Sequence, residues 1–355
     1  MGKVRVAIIG AGGIAHAHIR GLNLCKDAEI AAVCDVVRDR ADEVAKQYEI
    51  PSVHADYMEV LKRDDIDAVV ICTPNVHHHE IALASIKAGK HVLCEKPLAM
   101  NAQEAKEMYE TAEKAGIKHM VAFSYHFWPS AKFAKYIVEQ GFIGRIFHVV
   151  AQYSQGWLIS PDAPLVWRLV KSQTGTGVLG DLGSHLVDLV RWFTGLEINA
   201  VSADMETFIK QRKKPGSDEY GEVDVDDYVA FVAHLSGGAR ASFVSSRYAT
   251  GQGNYQRIEI YGDKGSLIYE FDKPHELSVC LGEGMIKLRQ VVPVPVPESF
   301  RINQHQDQEN TFVQGIAANK PIQPTFYDGF KAQEVLDAVV LSANEKRWVE
   351  LPLTK

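Results

Sequence analysis

The chain has 355 residues, a length that predicts two domains of ordinary size, each with its own core. Apolar residues make up 46% and charged residues 23%, which excludes a disordered or collagen-like chain. The 38 basic and 45 acidic side chains leave a net charge of −7, so a nucleic-acid-binding stripe is not expected.

No apolar run approaches the roughly 20 residues needed to cross a bilayer, and the opening run Val6–Ile9 is too short for a signal-peptide core. The five cysteines are odd in number, scattered and never spaced as C-x-x-C, so neither disulfides nor a zinc site is expected, and a reducing cytoplasm fits.

Val4–Ile9, Glu29–Cys34, Ala68–Cys72, His91–Cys94 and His119–Phe123 are predicted strands, alternating with helical stretches at Ala15–Leu24, Arg40–Tyr48, Ile81–Ala88 and Ala102–Ala115. Four of these strands are almost continuously apolar, as strands covered on both faces must be, so residues 1–124 are read as an α/β domain with a parallel, doubly wound sheet.

Gly10-Ala11-Gly12-Gly13-Ile14-Ala15 follows the first strand and opens a helix, and the second strand ends in Asp35. That context turns a weak G-x-G-x-x-A string into a dinucleotide-binding signature. Gly10 allows the turn, and Gly12, with Gly13 and Ile14, lets backbone and helix N-terminus approach a pyrophosphate. Asp35 is placed to accept from the adenosine ribose hydroxyls and to repel a 2′-phosphate, favouring NAD over NADP, while Arg38 and Arg40 nearby pull the other way.

Thr73-Pro74-Asn75 ends the third main strand, where open α/β sheets bind ligands. His77, His78 and His79 follow; neighbours on a helix diverge by about 100° each, so capping and supporting contacts are expected rather than a metal site. Glu95-Lys96-Pro97 ends the next strand, and on position alone Lys96 is equally a substrate-hydroxyl partner or a solvated lysine.

Beyond residue 124 the texture changes. Phe147–Tyr153, Tyr228–Leu235, Ala239–Ser245, Arg257–Tyr261, Ser266–Phe271 and Glu276–Cys280 are strands of mixed polarity, with hairpin turns at Ser236–Gly238 and Gly262–Gly265. Residues 125–355 are therefore read as an α+β domain with a large, mostly antiparallel open sheet, interrupted by helices at Asp181–Phe193 and Gly329–Asn344. Val292–Pro297 is an edge or an extended connector. A helix starting near Asp181 places Asp181 and His185 four apart on one face, either a carboxylate-oriented general base or an N-cap beside a core histidine.

Taken together, Gly10–Ala15, Thr73–Asn75 with His78, Ala88–Pro97 and Asp181–His185 resemble the Gfo/Idh/MocA family, the glucose–fructose oxidoreductase and inositol dehydrogenase group, with weaker matches at Trp167-Arg168 and Asp337–Ala343. The resemblance implies an N-terminal Rossmann domain binding NAD and a C-terminal sheet that assembles homodimers or homotetramers. It also implies a cis peptide before Pro97, and Lys96, His185 and Asp181 as the catalytic set. Glu95 joins Thr73, Pro74, Asn75 and His78 as a cofactor contact. Tyr125, His126, Trp157 and Arg168 become candidates for substrate recognition, and His126 stands where many relatives carry arginine.

The expected activity is oxidation of a secondary hydroxyl of a sugar, sugar derivative or cyclic polyol. An NADP-dependent keto-sugar reductase, an NAD-assisted glycosidase and a non-catalytic cofactor-binding sensor remain open on the same scaffold.

Overall fold

The computed structural model describes residues 2–301 and 304–353. The chain forms two compact units, one of Met1–Phe127 with Asn303–Gln333 and the other of Trp128–Ile302 with Glu334–Lys355. This differs from the expected split at 124/125, because the chain returns late to complete its first unit.

The first unit contains β1 (Val4–Ile9), α1 (Ala15–Asn23), β2 (Ala28–Cys34), α2 (Arg38–Tyr48), β3 (Val53–His54), α3 (Tyr57–Leu61), β4 (Ala68–Ile71), α4 (His78–Lys87), β5 (His91–Cys94), α5 (Ala102–Ala115) and β6 (His119–Val121). The sheet is parallel throughout, in the order β3-β2-β1-β4-β5-β6. Strand order reverses between β1 and β4, so the loops after these strands flank the switch point where such sheets bind ligands.

Val6, Ile8, Val33, Val70 and Leu93 are fully buried, as a sheet covered on both faces requires. Phe312, Val313 and Ile322 from the returning segment join that core alongside Val4, Ile19 and Leu22. Their burial is the physical reason that residues 303–333 belong here.

The rest of the chain runs through α6 (Pro129–Glu139), β7 (Ile146–Ser154), α7 (Lys171–Thr174), α8 (Ser184–Thr194), β8 (Ile198–Glu206), β9 (Gln211–Lys213), β10 (Tyr220–Glu222), β11 (Tyr228–Leu235), β12 (Arg240–Ser246), β13 (Tyr255–Gly262), β14 (Gly265–Glu270), β15 (Glu276–Leu281), α9 (Gly282–Leu288), β16 (Val292–Pro295), α10 (Gln304–Ala317), α11 (Phe326–Glu345) and β17 (Val349–Glu350).

Nine strands form one sheet in the order β16-β15-β14-β13-β7-β12-β11-β8-β17. Every pair is antiparallel except β7 with β12. Both predicted glycine turns join hairpins, β11 to β12 and β13 to β14. Alternate residues Val149, Ala151, Val229, Phe231, Phe243, Ile258 and Ile260 are buried, with Phe231 stacked on Phe243 across the ladder at 4.3 Å. Val150 and Val232 lie on the opposite, exposed face. The Val-Pro run forms the edge strand β16, where proline costs no ladder bond on its open side.

Among the described residues no helix is long and apolar enough to cross a membrane.

Candidate active site

In the first unit the glycine loop is pressed onto the end of β4. Gly10 has φ +97°, and a Cβ there would meet the Cys72 carbonyl at 2.7 Å and the Thr73 nitrogen at 2.8 Å. At Gly12 and Gly13 a Cβ would meet nothing within 4 Å, so the loop's other side is open to a ligand. Ala15 is fully buried, which brings the start of α1 close to the sheet.

Asp35 ties the glycine loop down. One carboxylate oxygen accepts from Ala11 N and the other from Val37 N, both at 2.8 Å, so the side chain pins the glycine loop to the end of β2. Arg38 turns along its own helix to Asp42 at 3.1 Å.

At the switch point Thr73 Oγ1 is buried and has no hydrogen-bond partner among the described residues, and Asn75 opens a single 3-10 turn. A buried hydroxyl in that state, beside an open glycine loop, fits a polar ligand such as a dinucleotide. The three histidines diverge as expected. His77 pairs with Glu80 at 3.0 Å and His79 with Glu107 at 2.9 Å. His78 is fully buried between the carbonyls of Thr73, 3.0 Å, and Pro97, 2.9 Å, joining the β4 loop to the segment after β5. Burial lowers its pKa, and those two backbone bonds only partly offset it. Among the described residues no group of three or more His, Cys, Asp or Glu could hold a metal ion.

Glu95 and Lys96 follow β5, and the Lys96–Pro97 peptide is cis. Glu95 folds back so that one oxygen accepts from Lys96 N at 3.1 Å while the other meets His18 Nε2 at 2.9 Å. His18, on α1, also holds Glu309 of α10 through Nδ1 at 2.5 Å. Burial alone would lower its pKa, but the hydrogen bonds and charges of Glu309 and Glu95 prevail and raise it to about 10. Burial also leaves the thiols of this unit poor nucleophiles, pushing Cys25 and Cys34 up to about 12 and Cys72 and Cys94 well above their usual value.

Tyr125 and His126 lie on the 3-10 turn Ser124–Phe127 at the end of the first unit, not in the substrate domain expected to begin at 125. His126 is buried and stacks on Phe123, 6.4 Å between ring centres.

In the second unit Asp226 is buried, and its two oxygens accept from Gly177 N at 2.6 Å and Leu179 N at 2.7 Å. Burial raises its pKa against those bonds. A Cβ on Gly177 would lie 1.9 Å from the Asp226 carbonyl oxygen, so only glycine fits. From this anchor Leu179–Gly183 runs as a π-helical turn before α8 starts at Ser184, whose hydroxyl bonds Gly180 O at 2.6 Å. Asp181 therefore sits on a wider turn than the α-helix expected from its spacing to His185.

Arg247, wholly buried, was not apparent from the sequence and organises this region. It reaches Asp181 Oδ2 at 3.1 Å, Gly177 O at 3.2 Å and Arg168 O at 3.4 Å, and its Cζ lies 5.7 Å from the Trp157 ring centre. It thus gathers Asp181, Trp157 and the Arg168 backbone, three sequence-predicted positions. The Arg168 guanidinium itself lies over Trp167 at 4.4 Å. A second buried arginine, Arg212, holds the Trp157-bearing loop through the carbonyls of Leu158, Ser160 and Ala163. His185 is buried in the first turn of α8, its ring 6.1 Å from that of Tyr153.

Comparison with known proteins adds to this geometry. Residues 4–123 match an oxidoreductase family described as having an NAD-binding Rossmann fold, and residues 131–268 match the GFO/IDH/MocA C-terminal domain. The levoglucosan dehydrogenase of Pseudarthrobacter phenanthrenivorans is 34% identical over 344 residues, spanning 88% of this chain and 87% of that protein. The chain belongs to the GFO/IDH/MocA oxidoreductase family. Inositol 2-dehydrogenase of Rhizobium meliloti is 28% identical over 98% of this chain and 99% of its own. A levoglucosan dehydrogenase solved with NADH and levoglucosan superposes with a TM-score of 0.94 at 32% identity, covering 99% of both chains. The α/β class and the resemblance in the motifs are borne out, and the first unit of this family member is an NAD-binding Rossmann domain.

Proposed function

We propose that the protein is an NAD-dependent dehydrogenase that oxidises a secondary hydroxyl of a sugar, sugar derivative or cyclic polyol. The observation that carries this reading is the Asp181–Arg247 pair beside Trp157. The Asp181 carboxylate offers acceptor oxygens to substrate hydroxyls beside the Arg247 guanidinium, while an indole offers an apolar face to sugar C–H groups. Levoglucosan and inositol, which name two relatives, are both dense in secondary hydroxyls.

In the first unit, the amides of Gly10, Gly12, Gly13 and Ile14 would hold the pyrophosphate, and Asp35 the ribose hydroxyls. Thr73, Pro74, Asn75, His78 and Glu95 would shape the place of the nicotinamide half. Bound NAD supplies the hydride acceptor. Lys96 donates a hydrogen bond to the hydroxyl being oxidised and stabilises negative charge as it develops on that oxygen, an interaction strongest in the transition state. His185 accepts the hydroxyl proton, and Asp181 orients the substrate through a neighbouring hydroxyl. Tyr125, His126 and Arg168 complete recognition. Asp35 disfavours a 2′-phosphate, and the engagement of Arg38 by Asp42 weakens the case for NADP.

The test is purified protein with NAD or NADP and a panel of anhydrosugars, aldoses, glycosides and inositols, followed by absorbance of the reduced cofactor. NADH formation with at least one secondary alcohol, faster than NADPH formation, is expected. Glycosidic cleavage without net NADH, or cofactor binding without turnover on the whole panel, would overturn the reading.

A further inference from the structure

The buried charges around Glu95 are placed more deliberately than stability needs. His18 is 1% exposed, and its side chain meets two carboxylates at once: Glu309, fully buried, at 2.5 Å and Glu95 at 2.9 Å. A neutral imidazole has one N–H to give, whereas two carboxylate partners call for both ring nitrogens to donate. The second oxygen of Glu309 is buried with no hydrogen-bond partner among the described residues, and Gln308 donates to the first at 3.1 Å. A matched set of apolar side chains commonly stabilises a protein as well as or better than a buried ion pair, so such a triad is poor evidence of a purely stabilising role.

Its connectivity is more informative. His18 lies one turn inside α1, the helix that opens from the glycine loop. Glu309 comes from α10, the segment that returns to complete the unit. Glu95 lies directly before Lys96, and its free oxygen takes the Lys96 backbone N–H at 3.1 Å. A line of short polar contacts therefore runs from α10 through α1 to the backbone of Lys96. His78, between Thr73 O and Pro97 O, braces the other side of the same segment.

We propose that the Glu309–His18–Glu95 bridge is a positioning device that fixes where the Lys96 backbone sits, so that His18 and Glu309 control turnover without touching substrate or cofactor. The inference rests on the role given to Lys96 above. His18 and Glu309 are positioning residues and Lys96 the catalytic one. Cofactor affinity, set largely by the glycine loop and Asp35, is affected much less than catalysis.

Three variants test this. Glu309→Gln keeps size and an acceptor oxygen but removes the charge. Glu309→Asp keeps the charge and withdraws it by one methylene. His18→Gln has one donor nitrogen in place of two and no positive charge to set between the carboxylates. For each, NADH Kd, kcat and KM are measured, together with the protection that bound NADH gives Lys96 against an amine-selective reagent, read by peptide mass.

In Glu309→Gln, a fall in kcat of about tenfold or more, an NADH Kd within about threefold of wild type and weaker protection of Lys96 are expected. Glu309→Asp recovers part of both losses. If His18→Gln fails to fold, the two Glu309 variants decide. Unchanged kcat and unchanged Lys96 protection in folded Glu309→Gln, or loss of NADH binding in step with kcat, overturn the proposal. If wild-type protein turns over no substrate, the dehydrogenase reading fails, and the Lys96 protection assay still judges the bridge.

Discussion

In the first unit the almost wholly buried imidazole of His18 is held between two carboxylates, whereas in the second the wholly buried guanidiniums of Arg247 and Arg212 are held mostly by backbone carbonyls. The difference is chemical as well as geometric. An imidazolium can lose its proton in water, and a guanidinium in practice cannot. The first unit thus ties down the Glu95–Lys96 segment with a titratable group, while the second holds Asp181 with a permanent charge.

The largest effect is expected at the two residues proposed to act on the hydroxyl, Lys96 and His185. Lys96→Ala and His185→Ala should each lower kcat by about 10²- to 10⁴-fold while NADH still binds, read by steady-state rates and fluorescence titration. A large loss in only one variant would mean that the chemistry rests on one unit alone.

Arg247→Ala comes next. It removes the guanidinium partner of Asp181, which is itself partly exposed, and the lost charge-assisted bonds cost about 1–3 kcal/mol, visible in denaturant unfolding. Arg247→Lys should fold better and still raise KM for the sugar, because an ammonium cannot span Asp181 and two carbonyls as a planar fork does.

The third effect separates the two arrangements by pH. The folded pKa of His18, about 10, lies above its ordinary value of 6.5. Its contribution to stability is therefore complete below pH 6.5 and is lost as pH rises toward about 10. Hydrogen exchange, corrected for intrinsic rates, should show α1 and α10 losing protection over that window while α8 does not. Equal loss in both units would erase the contrast.

The smallest effect is at Asp35. Asp35→Ala removes the proposed ribose acceptor and releases Ala11 N and Val37 N, so NAD affinity should drop about tenfold and the proposed preference over NADP should narrow, measured as two Kd values.

How far the sequence carried differs between the units for the same physical reasons. β1 and β5 coincide with their predicted limits, because strands covered on both faces are nearly unbroken apolar runs with glycine or charge at their ends. In the second unit β11 was equally clear, but β8, Ile198–Glu206, mixes apolar and acidic residues on a half-exposed sheet and left no readable alternation. Helix α10 was missed because only a few apolar residues, Phe312 and Val313 among them, anchor an otherwise polar stretch.

Two backbone features of the candidate site were legible, the strained turn at Gly10 and the cis peptide implied before Pro97. Arg247, His18 and Glu309 were not, since each acts through a partner at least 66 positions away and none lies in a local motif. The α-helical face expected for Asp181 and His185 gave way to a π turn that starts where Asp226 anchors the backbone of Gly177 and Leu179.

The central proposal is that the protein oxidises a sugar or polyol hydroxyl with NAD as hydride acceptor and with Lys96 and His185 as the acid–base groups. It is tested most directly by initial rates of NADH formation on the sugar and polyol panel, with wild type, Lys96→Ala and His185→Ala run side by side. The account predicts NADH from wild type with at least one substrate and a large loss in both variants. Equal rates in all three proteins would contradict it.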